Sequence, residues 1–210
     1  MAVMLRKPKS RTSRDTARDG QRRLLLDTAI LLLAERGPAA MSLRRLAKAV
    51  DASTMTAYTL FGGKDGLVRA LRDEGWSRLA NAFAEAPRGR DPLRNVRALG
   101  LAYRAFALAE PAWFALMAGR AVPGVTPPSA REVRTLAAYR AFRDEVRACI
   151  DGGVFPAGDP EDIADGLWGA AHGMITLELA GYFPSRAVAE ARFTRCITAA
   201  ARGYALRKTL

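Results

Sequence analysis

The chain has 210 residues, half of them hydrophobic, and carries a net charge of +12 from 33 basic and 21 acidic side chains. It is long enough to bury one large or two small cores and too apolar to be a disordered segment, and its charge favours a polyanionic partner, nucleic acid before membrane. Two cysteines and one histidine exclude a disulfide framework and a zinc site, no cofactor is expected, and the lack of a membrane-length apolar run or signal-peptide core points to a cytoplasmic protein.

Residues 1–20 carry Arg6, Lys7, Lys9, Arg11, Arg14 and Arg18 and little apolar content after Leu5. They read as a mobile basic arm, either a solvated tail or a segment that reaches phosphates or a minor groove. A first helix is expected from about Arg22 to Arg36. Leu25, Ala29, Leu32 and Leu33 form its inner stripe, and Leu24 and Leu31 widen the apolar surface enough for a second contact, with the other domain. Gly37-Pro38 stops it.

The stretch Met41–Leu67 predicts two short helices joined by a tight turn. Ser42 is placed to cap the first through its hydroxyl, and Leu43, Leu46, Ala47 and Val50 recur on one face. Asp51-Ala52-Ser53 breaks it. Ser53 or Thr54 caps a second helix through Phe61, with Ala57, Leu60 and Phe61 inward and Thr54, Met55, Thr56, Tyr58 and Thr59 outward. A structural surface more often carries Glu and Lys. Hydroxyls in a row suit close contact with phosphates and base edges, as in a helix-turn-helix.

A fourth helix is expected from Lys64 to about Ala84, followed by the linker Pro87-Arg88-Gly89-Arg90. Asp91-Pro92 opens a fifth, to about Leu108, as an N-cap with proline in the first turn. Glu110-Pro111 opens a short sixth, and Gly119 to Pro128 reads as a loop. One long helix is then expected from about Ser129 to Ile150, one from Asp159-Pro160 to near Gly181, and one from Pro184-Ser185 to near Leu206. The chain is thus expected to be all-α, with about nine helices and no strand. The domains expected are an arm at 1–20, a DNA-binding head at 21–67 and a helical body at 68–210, to which the resemblance described below assigns regulation and dimerisation.

In the body, Tyr103, Phe106, Trp113, Phe114, Tyr139, Phe142 and Trp168 concentrate between the fifth and the penultimate helices. Each alone reads as core. Together with Met117 they would suit a pocket for a small apolar or aromatic effector. Trp168 and His172, four apart, share a helix face; His172 either sits half-buried in the core or offers a polar anchor to a cavity. No nucleophile stands in a recognisable context beside it, so no enzyme is expected. Cys149 and Cys196 read as inert thiols, a redox role requiring exposure.

The segment Leu24–Leu71 resembles the DNA-binding domain of tetracycline-repressor-like (TetR family) regulators. Their apolar helix ending Ala-Glu-Arg-Gly is matched by Ala34-Glu35-Arg36-Gly37. Their Ile-Ala-x-x-Ala-Gly-Val-Ser is matched by Leu46-Ala47 through Ser53, and their Thr-Leu-Tyr-x-x-Phe-x-x-Lys-Glu-x-Leu by Thr56-Ala57-Tyr58, Phe61, Lys64-Asp65 and Leu67. Asp51 stands where the turn glycine is usual; aspartate tolerates left-handed backbone better than most residues. Met55 replaces a Gly or Pro. Trp168-x-x-x-His172-Gly173, with Tyr103-x-x-Phe106 and Pro111-x-x-Phe114, resembles the signature of the WHG-type C-terminal domain of some TetR-like regulators.

The resemblance implies a homodimeric, ligand-responsive regulator, most simply a repressor on a palindromic operator, whose fourth helix links head to body. Ser42, Thr56, Tyr58 and Lys64 would hold phosphates, and Arg44, Thr54 and Met55 would face base edges. Dimerisation would fall to 160–181 and 186–206, with Phe193, Ile197, Ala200 and Tyr204 as the seam. The alternative is a DNA-binding architectural protein without an effector, which would bind most sequences alike.

Overall fold

The computed structural model describes residues 13–37, 41–117 and 129–205, and among them are ten helices and no strand. They are α1 (Ser13–Arg36), α2 (Leu43–Ala49), α3 (Thr54–Phe61), α4 (Lys64–Glu85), α5 (Pro92–Ala109), α6 (Pro111–Met117), α7 (Ala130–Thr135), α8 (Ala137–Asp151), α9 (Pro160–Leu179) and α10 (Arg186–Ala205). The chain forms two compact units that divide at Leu71/Arg72, within α4.

The first unit is built on α1, α2, α3 and the start of α4. Leu25, Leu26, Ala29 and Ile30 of α1 are buried, as are Leu43, Leu46, Ala47, Ala57, Phe61, Leu67, Val68 and Leu71. Leu32 and Leu33 are only half-buried, so the inner stripe of α1 lies one position nearer Leu26 and Ile30 than expected. Leu24 and Leu31 are 52% and 60% exposed. The first helix also begins at Ser13 rather than near Arg22. Once the buried half is formed, each residue added in front gains a hydrogen bond, and no proline intervenes to stop it. Residues 13–20 of the expected arm are therefore helical, and residues 1–12 lie outside the described residues.

The second unit is a bundle in which α10 packs on α9, α8 on both α5 and α9, and α5 also on α6 and α9. Its helix starts follow the sequence. Asp91 accepts from the Leu93 and Arg94 N–H groups, and Asp159 from that of Glu161, each with proline in the first turn. Asn95, buried, holds the linker by exchanging bonds with the Gly89 N–H and carbonyl, at 2.8 and 3.0 Å, and donates to Glu145 of α8. The expected loop from Gly119 to Pro128 lies wholly outside the described residues.

One expectation is corrected here. The single helix foreseen from Ser129 to Ile150 is two, because Leu136 takes an extended conformation between α7 and α8. A capping box between Ser129 and Glu132 closes α7 at its start. Arg134 at its end is tied to Glu161 at 3.0 Å and Asp165 at 2.8 Å. No Gly or Pro marks the break.

The apolar stripe expected on the last helix as an intersubunit seam is used in part within the protomer, while Ile197, Ala200 and Tyr204 stay half-buried. Phe193 is fully buried. Ile197 lies against Gly100. Tyr204 packs edge-on to Phe155 and brings its hydroxyl against Gly166, where any Cβ would collide.

The strongest polar tie of the bundle is internal. Arg104 of α5 is buried and donates two bonds of 2.7 Å to the Glu178 carboxylate of α9, with Glu190 of α10 at 3.4 Å and the Phe193 ring beneath. Removing one member of such a pair strands a buried charge. Glu178→Leu should cost about 3–5 kcal/mol, whereas Arg104→Met combined with Glu178→Leu should recover most of that loss. Urea unfolding of the two variants against the parent measures both.

Candidate functional site

The turn between α2 and α3 rests on Asp51, the one non-glycine among the described residues with left-handed backbone, at φ 51°. Aspartate substitutes there for the expected glycine because its short polar side chain lowers the cost of that conformation. Ser53 then caps α3, accepting from the Thr56 N–H at 3.0 Å. Gly62, at φ 70°, closes the helix with its N–H on the Tyr58 carbonyl. Ser42 occupies the cap position of α2, but its hydroxyl makes no capping bond.

This frame sets the outward face of α3. Thr54, Met55, Tyr58 and Thr59 are exposed, Met55 by 74%. Thr56, expected in the same row, is half-buried, and its hydroxyl bonds that of Ser53 at 2.8 Å. The Thr59 hydroxyl donates back to the Met55 carbonyl. On the neighbouring elements Ser42, Arg44, Arg45, Lys48 and Lys64 are exposed. Arg45 and Lys48 were not singled out from the sequence, where they read as ordinary solvated charge. The face combines hydroxyls, one exposed thioether and several cations, a chemistry able to meet phosphates and base edges together.

The second unit holds a cavity of about 280 Å³ between α4, α5, α8, α9 and α10. Of the expected ligand residues, Tyr103, Phe142 and Trp168 line it. Trp168 is the centre of an aromatic cluster. Its ring lies 4.5 Å from Tyr103, stacks on Trp76 at 5.8 Å and meets Phe142 and Phe83 edge-on. Phe83, Leu99, Leu167 and Ile197 complete the wall. Their aliphatic or aromatic stripes are indistinguishable in sequence from ordinary core, which is why they were missed.

Phe106, Trp113, Met117, Tyr139 and His172 do not line this cavity. Phe106 and Trp113 are buried, the latter beneath the Arg78 guanidinium at 4.5 Å. The Met117 side chain lies close to Gly75. Tyr139 donates to Asp165, and its phenol is held above the usual range by burial and then by that carboxylate.

His172 sits behind the wall. Its Nδ1 shares a 2.9 Å hydrogen bond with the Tyr103 hydroxyl, and its ring stacks on Phe114 at 5.0 Å. Burial raises the Tyr103 phenol, partly offset by the Trp168 side chain, and lowers the imidazole. Both groups are therefore neutral near pH 7, and His172 orients Tyr103 rather than facing the cavity. Cys149 is buried and its thiol pushed up to about 12, chiefly by burial; it is no thiolate at neutral pH.

Together the fold and these faces define a helix-turn-helix DNA-binding protein with a separate helical body. Residues 25–71 match the family model of bacterial regulatory proteins of the TetR family, and residues 96–204 match that of a tetracyclin repressor-like C-terminal domain. The chain belongs to the TetR family of transcriptional regulators. Its first unit carries the DNA-binding domain of that family.

Solved structures agree. A protein of unknown function from Rhodococcus sp. RHA1 is 28% identical over 95% of this chain and 100% of its own, with a TM-score of 0.71. A putative regulatory protein is 26% identical over 90% and 98%, with a TM-score of 0.73. The TetR family transcriptional regulator PfmR from Thermus thermophilus shares the fold at 22% identity over 85% and 97%, with a TM-score of 0.61. No curated protein matches significantly.

The position of His172 has a measurable consequence. It is the only histidine, and its pKa in the folded chain lies below the ordinary 6.5 because burial disfavours the imidazolium. The unfolded chain then binds the proton first as pH falls. The stability that His172 contributes is full above its unfolded pKa and is lost progressively below it. In urea unfolding compared between about pH 7.5 and pH 5.5, His172→Gln should flatten the decline, whatever its effect on stability at neutral pH.

Proposed function

We propose that this regulator is a repressor that binds a palindromic operator as a homodimer in the bacterial cytoplasm and is released by a small ligand. The observation that carries the ligand response is the aromatic cavity of the body, built by Tyr103, Phe142 and Trp168 with Phe83. A protein serving only to coat DNA has no need of a cavity lined by an aromatic cluster. The DNA-facing groups are Ser42, Arg44, Thr54, Met55, Thr56, Tyr58 and Lys64. Arg44, Thr54 and Met55 read bases, Met55 through contact with a thymine methyl. Ser42, Thr56, Tyr58 and Lys64 hold phosphates, Thr56 through whatever bonding its Ser53 contact leaves.

The dimer forms through 160–181 and 186–206. Since Phe193 is fully buried within the protomer and Ile197 and Tyr204 pack in part against it, the joining face is the opposite one. There Gly169, Gly173 and Ala180 of α9 and its end, and Ala187 and Ala191 of α10, are exposed. Side chains this small let helices of two protomers approach closely. Two heads then meet half-sites about one helical turn apart.

Two measurements test this reading. Arg44→Ala should weaken operator binding by roughly 1–3 kcal/mol and relax preference at the base pair it reads, while Lys64→Ala should weaken all DNA alike and lower the salt slope by about one. Selection of binding sites from random DNA, followed by salt titrations, separates the two; an unchanged consensus in Arg44→Ala would reject the base-reading role.

Calorimetry of an effector with and without operator tests the coupling. DNA should weaken the ligand by the same factor as the ligand weakens DNA, typically about 5–150-fold. Trp168→Ala should reduce the ligand response more than it reduces operator affinity. Equal ligand affinity with and without DNA would reject release by ligand.

A further inference from the structure

The mouth of the body cavity differs in chemistry from its floor. The floor is apolar, formed by Trp168, Phe142, Leu99 and their neighbours. The rim carries three guanidinium groups, Arg94 and Arg97 of α5 and Arg202 of α10, against one carboxylate, Asp91. That carboxylate is already engaged: it caps α5 by accepting from the Leu93 and Arg94 N–H groups, and it pairs with Arg94 at 3.4 Å. Arg97 and Arg202 are exposed and have no acidic partner among the described residues. Two uncompensated cations therefore stand on two different helices at the opening of one apolar cavity.

We propose that the ligand of this cavity is a small amphipathic carboxylate, with its apolar, preferentially aromatic, tail on the Trp168 floor and its carboxylate between Arg97 and Arg202. This rests on the reading of the cavity as an effector site and names the ligand class for it. A carboxylate accepts the forked N–H donors of arginine in a bidentate geometry, and it can span two guanidinium groups from separate helices. A neutral ligand of the same shape would leave both cations as they are, and an ammonium would be repelled by them. The cavity, at about 280 Å³, lies at the lower end of the range for small-molecule sites, about 300–1,000 Å³. A single ring or a short chain with one acid group fits that scale better than a large conjugate. Bridging α5 to α10 through one anion also gives the ligand a further means of favouring one arrangement of the bundle.

The test uses a matched series on the full chain without DNA: 3-phenylpropanoate, 3-phenylpropanol and 3-phenylpropylammonium, titrated by calorimetry. The carboxylate should bind about tenfold tighter than the alcohol, the ammonium should bind weakest, and high salt should narrow the gap between acid and alcohol. In the double variant Arg97→Gln, Arg202→Gln the preference for the acid should disappear. Both side chains are exposed, and an unchanged thermal midpoint confirms that the variant folds; the salt titration of the parent stands independently of it. Equal binding of acid and alcohol, a salt-independent gap, or a preference that survives in the folded double variant would overturn the carboxylate assignment and leave the cavity as an effector site. Failure of all three compounds to bind would overturn the effector reading itself, and this proposal with it.

Discussion

The body is organised around the contact of Trp168 with Tyr103. Their rings, from α9 and α5, lie 4.5 Å apart, and every other aromatic group of the cluster is placed by reference to them. Trp76 and Phe83 bring α4 to the indole, and Tyr139 and Phe142 bring α8. Aromatic pairs add about 0.5–1.5 kcal/mol each beyond the area they bury, so a single indole shared by several partners couples four helices energetically. The same indole is only half-buried, because the cavity occupies one of its sides. Cohesion of the bundle and access to the cavity are thus properties of one side chain.

Behind this contact lie polar supports. His172 bonds the Tyr103 hydroxyl, and Arg104, one residue further along α5, reaches Glu178. Both fasten α5 to α9, one through a neutral pair and the other through a charged one. The neutral pair tolerates burial without requiring a counter-charge. The charged pair is stable only because the carboxylate accepts two donors at once and Glu190 stands nearby. A buried pair of this kind is worth little in net stability, yet removing either member leaves the other charge uncompensated.

Local signals made most helix boundaries legible in the sequence. Asp91-Pro92 and Asp159-Pro160 mark starts, Gly62 marks an end, and Asp51 sits at the turn that an N-terminal domain of this kind needs. Features that depend on distant residues were not legible. The break at Leu136 is announced by no Gly or Pro beside it. The stripe of Phe193, Ile197 and Tyr204 has the spacing of a helix seam, but spacing does not say whether the opposing helix belongs to the same chain. His172 shares a face with Trp168, as four-residue spacing requires, yet one turn of a helix was enough to separate the cavity wall from the layer behind it. The aromatic residues were recognised as a set, whereas the aliphatic ones that finish the cavity carry no distinguishing mark. Of the outward row on α3, the hydroxyls were legible as a pattern; the internal use of Thr56 as a partner of Ser53 required the geometry.

The three tryptophans, Trp76, Trp113 and Trp168, all lie in the second unit, and none lies in the first. Intrinsic emission excited at the indole band therefore arises from the body alone and is blind to the head. Two of the three emitters are stacked at 5.8 Å, close enough to exchange excitation, and one of those two forms the cavity floor. The chain accordingly carries a built-in optical reporter of its own interior, confined to the unit that does not carry the DNA-binding domain.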